Sequence, residues 1–173
     1  MPRRITAPYL RRAALHYLER YSVPAAQLRK VLMRKIATSC RHHGEDPALH
    51  TTLLDEVVAQ CVALQLVDDR RFAEARTASL RRKGLSSRAV AGRLAAKGVD
   101  RELVAAVSET GEDAELAAAR IAARRKRLGP WRRQGGQRDD RTSRRKDLAA
   151  LARLGFSFAI ARAVLDEKED NGL

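Results

Sequence analysis

Apolar residues recur along most of this chain at the three- and four-residue steps of an α-helix. Leu10, Ala13, Ala14, Tyr17, Leu18 and Tyr21 fall on one face, the i, i+3, i+4, i+7 pattern of an amphipathic helix. Ser22 and Pro24 break it and start a second helix through Leu28, Val31, Leu32 and Met33. Proline is tolerated there because a first-turn N–H has no helical partner. Residues 38–52, with Gly44, Pro47 and three histidines, read as a polar loop; a third helix runs from about Leu53 through Val57, Val58, Cys61 and Leu64.

Asp68 and Asp69 open the next unit, since a helix-start carboxylate accepts an otherwise unpaired N–H and favours the positive dipole end. Phe72, Ala73, Arg76 and Leu80 form a helix that stops at Gly84. Ser86 or Ser87 caps another, with Val90 and Leu94, that stops at Gly98, and Asp100 caps a short one with Leu103, Val104 and Val107. A last set follows: Leu116 to about Arg127, interruptions at Gly129-Pro130 and Gly135-Gly136, then Lys146 to Leu154, then Ser157 capping Phe158 to Leu165.

The sets resemble one another. Leu94-Ala-Ala-Lys97-Gly98-Val99-Asp100 matches Leu151-Ala-Arg-Leu154-Gly155-Phe156-Ser157, with Leu103 and Val107 beyond the first, Ile160 and Val164 beyond the second. Each has a glycine where a helix needs a left-handed residue, then an apolar residue, then an N-cap. In the first set Leu28, Leu32 and Lys35 take the places of Val90, Leu94 and Lys97, while the long loop replaces the glycine. The expectation is an all-α fold of three tandem three-helix modules in an elongated, curved array. They span residues 7–67 (with the loop 38–52), 68–110, and 112–166 (with a basic insertion at about 129–145). An acidic, frayed tail, 167–173, follows.

Composition agrees with helices. Ala, Leu and Arg supply 79 of the 173 residues and only seven are aromatic, which argues against β-sandwiches and against single-strand binders that stack bases on aromatic platforms. No apolar run is long enough to span a membrane, no secretion signal is evident, and two cysteines are too few for a disulfide scaffold. A cytoplasmic, monomeric protein with reduced thiols is expected.

Charge narrows the function. Thirty-five basic residues against 21 acidic ones give +14 and a pI near 10.9, a balance that points to a polyanionic partner, most often nucleic acid. Arg81, Arg82 and Lys83 end one helix. Arg124, Arg125, Lys126, Arg127, Arg132, Arg133, Arg144, Arg145 and Lys146 crowd a stretch with a net +9 in 23 positions. Such a stretch repels itself and should extend until phosphates neutralise it, without sequence specificity. Trp131, in its middle, either stacks on a base or anchors the segment to the helices.

No nucleotide-binding, hydrolase or metalloprotease motif is present. Cys40, His42, His43 and His50 lie in one loop, but a closed zinc site normally draws on two spaced ligand pairs and no second pair follows. Asp68, Asp69 and Glu74 could hold magnesium for a nuclease, yet their place at a helix start favours capping. No catalytic residue, cofactor or metal ligand is therefore expected.

The chain resembles the RecX family. Leu66-Val67-Asp68-Asp69-Arg70-Arg71-Phe72-Ala73-Glu74-Ala75 carries the strongest likeness, followed by Arg81-Arg82-Lys83-Gly84-Leu85-Ser86 and Lys97-Gly98-Val99. Ala14-Leu15-x-Tyr17-Leu18 with Leu28-Arg29 and Leu32 resembles the family's opening, and Leu154-Gly155-Phe156-Ser157 its close. The likeness runs from about Leu10 to Leu165. It implies a non-enzymatic regulator that binds the RecA–DNA filament and lowers RecA ATP hydrolysis, strand exchange and coprotease activity, limiting recombination and the SOS response. Single- and double-stranded DNA would be further partners. The competing expectation is a stand-alone architectural DNA-binding protein with no specific protein partner.

Overall fold

The computed structural model describes residues 2–132 and 140–167. Among them lie nine α-helices and no strand: α1 (Ala7–Leu18), α2 (Ala25–His43), α3 (Thr51–Ala63), α4 (Asp69–Arg82), α5 (Ser87–Ala96), α6 (Arg101–Ser108), α7 (Glu112–Lys126), α8 (Asp140–Arg153) and α9 (Phe158–Leu165). Short 3-10 turns at Pro47–His50 and Gly129–Trp131 precede α3 and α8. None of the described helices is long and apolar enough to cross a membrane.

By compactness the chain forms two units, Met1–Glu74 with Ala95–Leu103, and Ala75–Leu94 with Val104–Leu173. In the first, α1, α2 and α3 pack together around Leu10, Leu28, Leu32, Ile36, Leu54 and Val57. Cys61 joins this core, where burial pushes its thiol pKa up. In the second, α7, α8 and α9 pack around Ala119, Ala122, Leu151, Phe156, Ile160 and Val164. The alanine stripe of α7 keeps the facing surface low, which sets how closely a neighbouring helix approaches. The middle helices bury Ala73, Leu80, Val90, Leu94, Val99 and Val104, and their residues are divided between the two units.

The repeated punctuation takes the expected local form. Gly98 and Gly155 have φ of +82° and +90°, a region that side chains disfavour. The apolar residue after each, Val99 and Phe156, is buried. Asp100 Oδ1 then accepts the Glu102 N–H at 2.8 Å, and Ser157 Oγ accepts the Ile160 N–H at 3.2 Å. Both glycines are also sterically required. A Cβ on Gly98 would lie 2.6 Å from the Ala26 side chain, and one on Gly155 would lie 2.6 Å from Ser86 Oγ.

The two adjacent aspartates divide their work. Asp68 Oδ1 accepts the Arg71 N–H at 2.8 Å and caps α4. Asp69 Oδ1 instead accepts the Ala25 N–H at 2.8 Å, capping α2, whose own N-cap residue Pro24 has no side chain able to do so. Asp69→Ala should therefore lower stability by about 0.5–2 kcal/mol, the cost of a lost cap. A urea midpoint unchanged from the parent would contradict this role. Glu74 pairs with Arg70 at 3.7 Å. Among the described residues these three carboxylates form no metal-sized cluster.

Three sequence expectations need correction. The supposed loop 38–52 is largely helical, because α2 continues to His43 and ends at Gly44 in a left-handed conformation, φ +67°. Ile36, Ser39 and Cys40 extend its buried stripe, and Ser39 Oγ donates to the Arg3 carbonyl at 2.7 Å; burial here overrides weak helix propensity. The first set thus keeps its terminal glycine, displaced by a longer helix. The basic insertion at about 129–145 is likewise shortened, since α8 starts at Asp140 rather than Lys146. Finally, Glu167, expected within the frayed tail, is engaged. Glu167 pairs with Arg120 at 2.7 Å, while residues 168–173 lie outside the described part.

Candidate nucleic-acid interface

Arg81, Arg82 and Lys83 are consecutive, but helix rotation sends them to different environments. The Arg81 guanidinium turns inward, with its side chain 13% exposed. It donates to Glu115 Oε2 at 2.6 Å, to the Leu85 carbonyl at 2.9 Å and to the Ala114 carbonyl. Glu115 in turn accepts the Ser87 hydroxyl at 2.8 Å and the Ser87 N–H at 3.2 Å, holding the start of α5. Arg81 is therefore a fold residue rather than a phosphate ligand. Arg82 and Lys83 are exposed.

The arginines of the basic stretch separate in the same way. Arg124, Arg125, Lys126 and Arg127 close α7 and are exposed, positions where cations also offset the carbonyl end of the helix. Arg125 Nη1 donates to the Lys83 carbonyl at 2.8 Å, tying the end of α7 to the end of α4. Arg132 turns onto Asp147, whose side chain is 6% exposed. Asp147 also accepts the Gly129 N–H at 2.8 Å. Between them Trp131 packs against the core of α7, α8 and α9, so of its two expected roles it takes the anchoring one. Arg144 pairs with Asp166 at 2.5 Å. Its hydrogen bond, the largest influence, holds the Asp166 carboxyl below the usual carboxylate range. Arg145 and Lys146 are exposed on α8, and Arg133 lies outside the described residues.

Of these cations, Lys83, Arg125 and Lys126 line a cleft of about 520 Å³ in the second unit. Gly84, Leu85, Ala89, Ala122 and Leu154 form its small and apolar part; Lys83, Arg93, Arg125, Lys126 and Arg153 supply its charge. Among the described residues no acidic side chain lines it. Ser86 sets its geometry: its buried hydroxyl donates to the Leu154 carbonyl at 2.7 Å and accepts the Ala89 N–H at 3.2 Å, joining the end of α8 to the start of α5. Arg93 and Arg153 escaped the sequence reading because each is a single charge within a mostly apolar run.

The first unit carries a second basic groove, also of about 520 Å³ and also without an acidic lining residue among the described ones. Arg3, Arg34 and Lys35 line it together with Tyr9, Val31 and Ser39. Cations with no acidic neighbour in the described lining suit a phosphate backbone better than a compact ligand.

Known proteins place the chain in a family. Regulatory protein RecX of Myxococcus xanthus (strain DK1622) is 44% identical over 167 residues, which cover 95% of this chain and 88% of that protein. The chain belongs to the RecX family. A second RecX, from Agrobacterium fabrum (strain C58 / ATCC 33970), is 35% identical over 94% of this chain and 86% of its own length. The profile of the second RecX three-helix domain matches residues 68–107, a stretch that begins at the Asp68 cap and includes Lys83 and Arg93. The crystal structure of RecX from Lactobacillus salivarius superposes with a TM-score of 0.70 at 17% identity. It covers 92% of this chain and 96% of that one, so the fold is shared although most side chains differ. The RecX fold of three-helix domains is thus the architecture of this regulatory protein.

Proposed function

We propose that this protein restrains the RecA recombinase by binding the RecA–DNA filament, and that it acts in the cytoplasm as a monomer without catalysis of its own. The observation that carries the proposal is the pair of basic grooves, without acidic lining among the described residues, on a member of the RecX family. In this proposal residues 7–67, 68–110 and 112–166 work as three modules, and the phosphate-facing cations are Arg82, Lys83, Arg93, Arg124, Lys126, Arg127, Arg145, Lys146 and Arg153. A filament presents both phosphates and protein, so its recognition combines a charge component with a protein-specific one. Inhibition of RecA ATP hydrolysis, strand exchange and coprotease activity would follow from occupying that composite surface.

Fluorescence anisotropy on labelled single-stranded DNA, bare or coated with RecA and a non-hydrolysable ATP analogue, tests this. We expect tighter binding to the coated DNA and, on bare single- or double-stranded DNA, a logarithmic affinity that falls linearly with the logarithm of salt concentration. Equal affinity for bare and coated DNA at every salt concentration would favour the stand-alone architectural role.

A further inference from the structure

The end of α2 and the 3-10 turn before α3 bring together three groups that lie five residues apart in sequence. Cys40 is on the last buried turn of α2, Glu45 follows the left-handed Gly44, and His50 closes the 3-10 turn. The Cys40 sulfur, a Glu45 carboxylate oxygen and a His50 ring nitrogen all lie within 4.8 Å of one another. We propose that Cys40, Glu45 and His50 form a zinc site, with the fourth position left to water or an incoming ligand.

The geometry is close to what the ion needs. Tetrahedral zinc, with bonds of about 2.0–2.3 Å, separates its donors by roughly 3.3–3.8 Å. His50 Nε2 and Glu45 Oε2 are already 3.4 Å apart, so small side-chain rotations complete the set. Cys40 is 1% exposed, and the Glu45 and His50 side chains are only 26% and 17% exposed, so all three donors are shielded from much of the solvent before any ion arrives. Arg4 Nη1 lies 3.5 Å from the other carboxylate oxygen, Glu45 Oε1, where it can orient the ligand from outside the coordination sphere.

Donor chemistry selects the metal. A thiolate and an imidazole favour zinc over magnesium or calcium, which prefer oxygen. One thiolate, one carboxylate and one neutral imidazole balance the two positive charges. On binding, the sulfur lone pair goes to zinc and the thiol proton to the buffer, with no change of oxidation state. The linkage would fasten the end of α2 to the turn that leads into α3. Looking for two spaced ligand pairs misses this site, because one of its donors is a glutamate and the backbone reversal at Gly44 creates the pairing.

The test uses the full chain, reduced and metal-free, with cobalt(II) as the spectroscopic probe and zinc(II) as the competitor. We expect a one-to-one complex with a thiolate-to-cobalt charge-transfer band in the near ultraviolet and visible bands of four-coordinate cobalt, all bleached by zinc. Glu45→Gln and His50→Gln should each weaken zinc binding by roughly tenfold or more, while His42→Gln should leave it unchanged. Cys40→Ser should abolish the near-ultraviolet band. If that variant fails to fold, the Glu45 and His50 variants decide the matter. Absence of a thiolate band with cobalt in excess, or zinc affinity indifferent to both substitutions, would overturn the site. Neither RecA nor DNA is present, so failure here leaves the regulatory proposal standing, and the converse also holds.

Discussion

Arg81→Met should lower the stability of the protein by about 3–5 kcal/mol, because it removes one partner of a mostly buried ion pair and strands the other. The side chains of Arg81 and Glu115 are only 13% and 16% exposed. The arginine also donates to two backbone carbonyls near the ends of the segments it joins. Replacing both partners, Arg81→Met with Glu115→Leu, should recover part of the loss, since an apolar pair strands no charge. Ser87, which uses Glu115 at its helix start, keeps that recovery incomplete. Urea titration followed by circular dichroism measures the stability change. DNA affinity, read where the variant is still folded, should change less than about twofold, because no phosphate contact is lost. Unchanged stability with a large loss of DNA affinity would return Arg81 to the interface.

Reversing Lys83, Arg93, Lys126 and Arg153 to Glu should have the opposite signature. These side chains line the basic cleft and belong to exposed residues, so the fold should persist while DNA and filament affinity fall by roughly a hundredfold or more near ~0.1 M salt. The logarithmic salt slope on single-stranded DNA should lose about 3, the counterion release of four phosphate contacts. Lys83, Lys126 and Arg153 also sit at or beside helix C-termini, where an introduced Glu costs about 0.3–1 kcal/mol each against the dipole. The corresponding Gln variants separate that effect from binding, with half the change in charge. A control that reverses Arg11, Arg12, Arg20 and Arg41, exposed residues that line neither groove, carries the same change in net charge. If the control weakens binding as much as the cleft variant, net charge rather than the cleft governs affinity.

Local features of the fold were legible in the sequence, and long-range ones were not. Gly98-Val99-Asp100 and Gly155-Phe156-Ser157 announce a helix end, a buried residue and a new helix within three positions, because capping is a local interaction. Asp68 was equally readable. The bond from Asp69 to Ala25, 44 residues away, was not, since no local pattern encodes a cap on another helix. The same limit explains the site. Arg81 and Lys83 look alike in sequence, and only the presence of Glu115, 34 residues on, decides which one faces inward. Arg93 and Arg153 come from different helices to one cleft, so neither belongs to a visible charge cluster. Residues 38–43 looked like loop because Thr38, Ser39, Cys40, His42 and His43 are indifferent helix formers. Burial of Ser39 and Cys40 in the first unit holds them helical.

Regulation of a RecA filament, rather than occupation of DNA, is tested most directly by RecA ATP hydrolysis on single-stranded DNA. The protein would be titrated in at fixed salt, with DNA either limiting or in excess over RecA. Inhibition well below one copy per RecA subunit, unrelieved by excess DNA, is the predicted result. Inhibition that appears only once the protein saturates the DNA, and that added DNA abolishes, would contradict it.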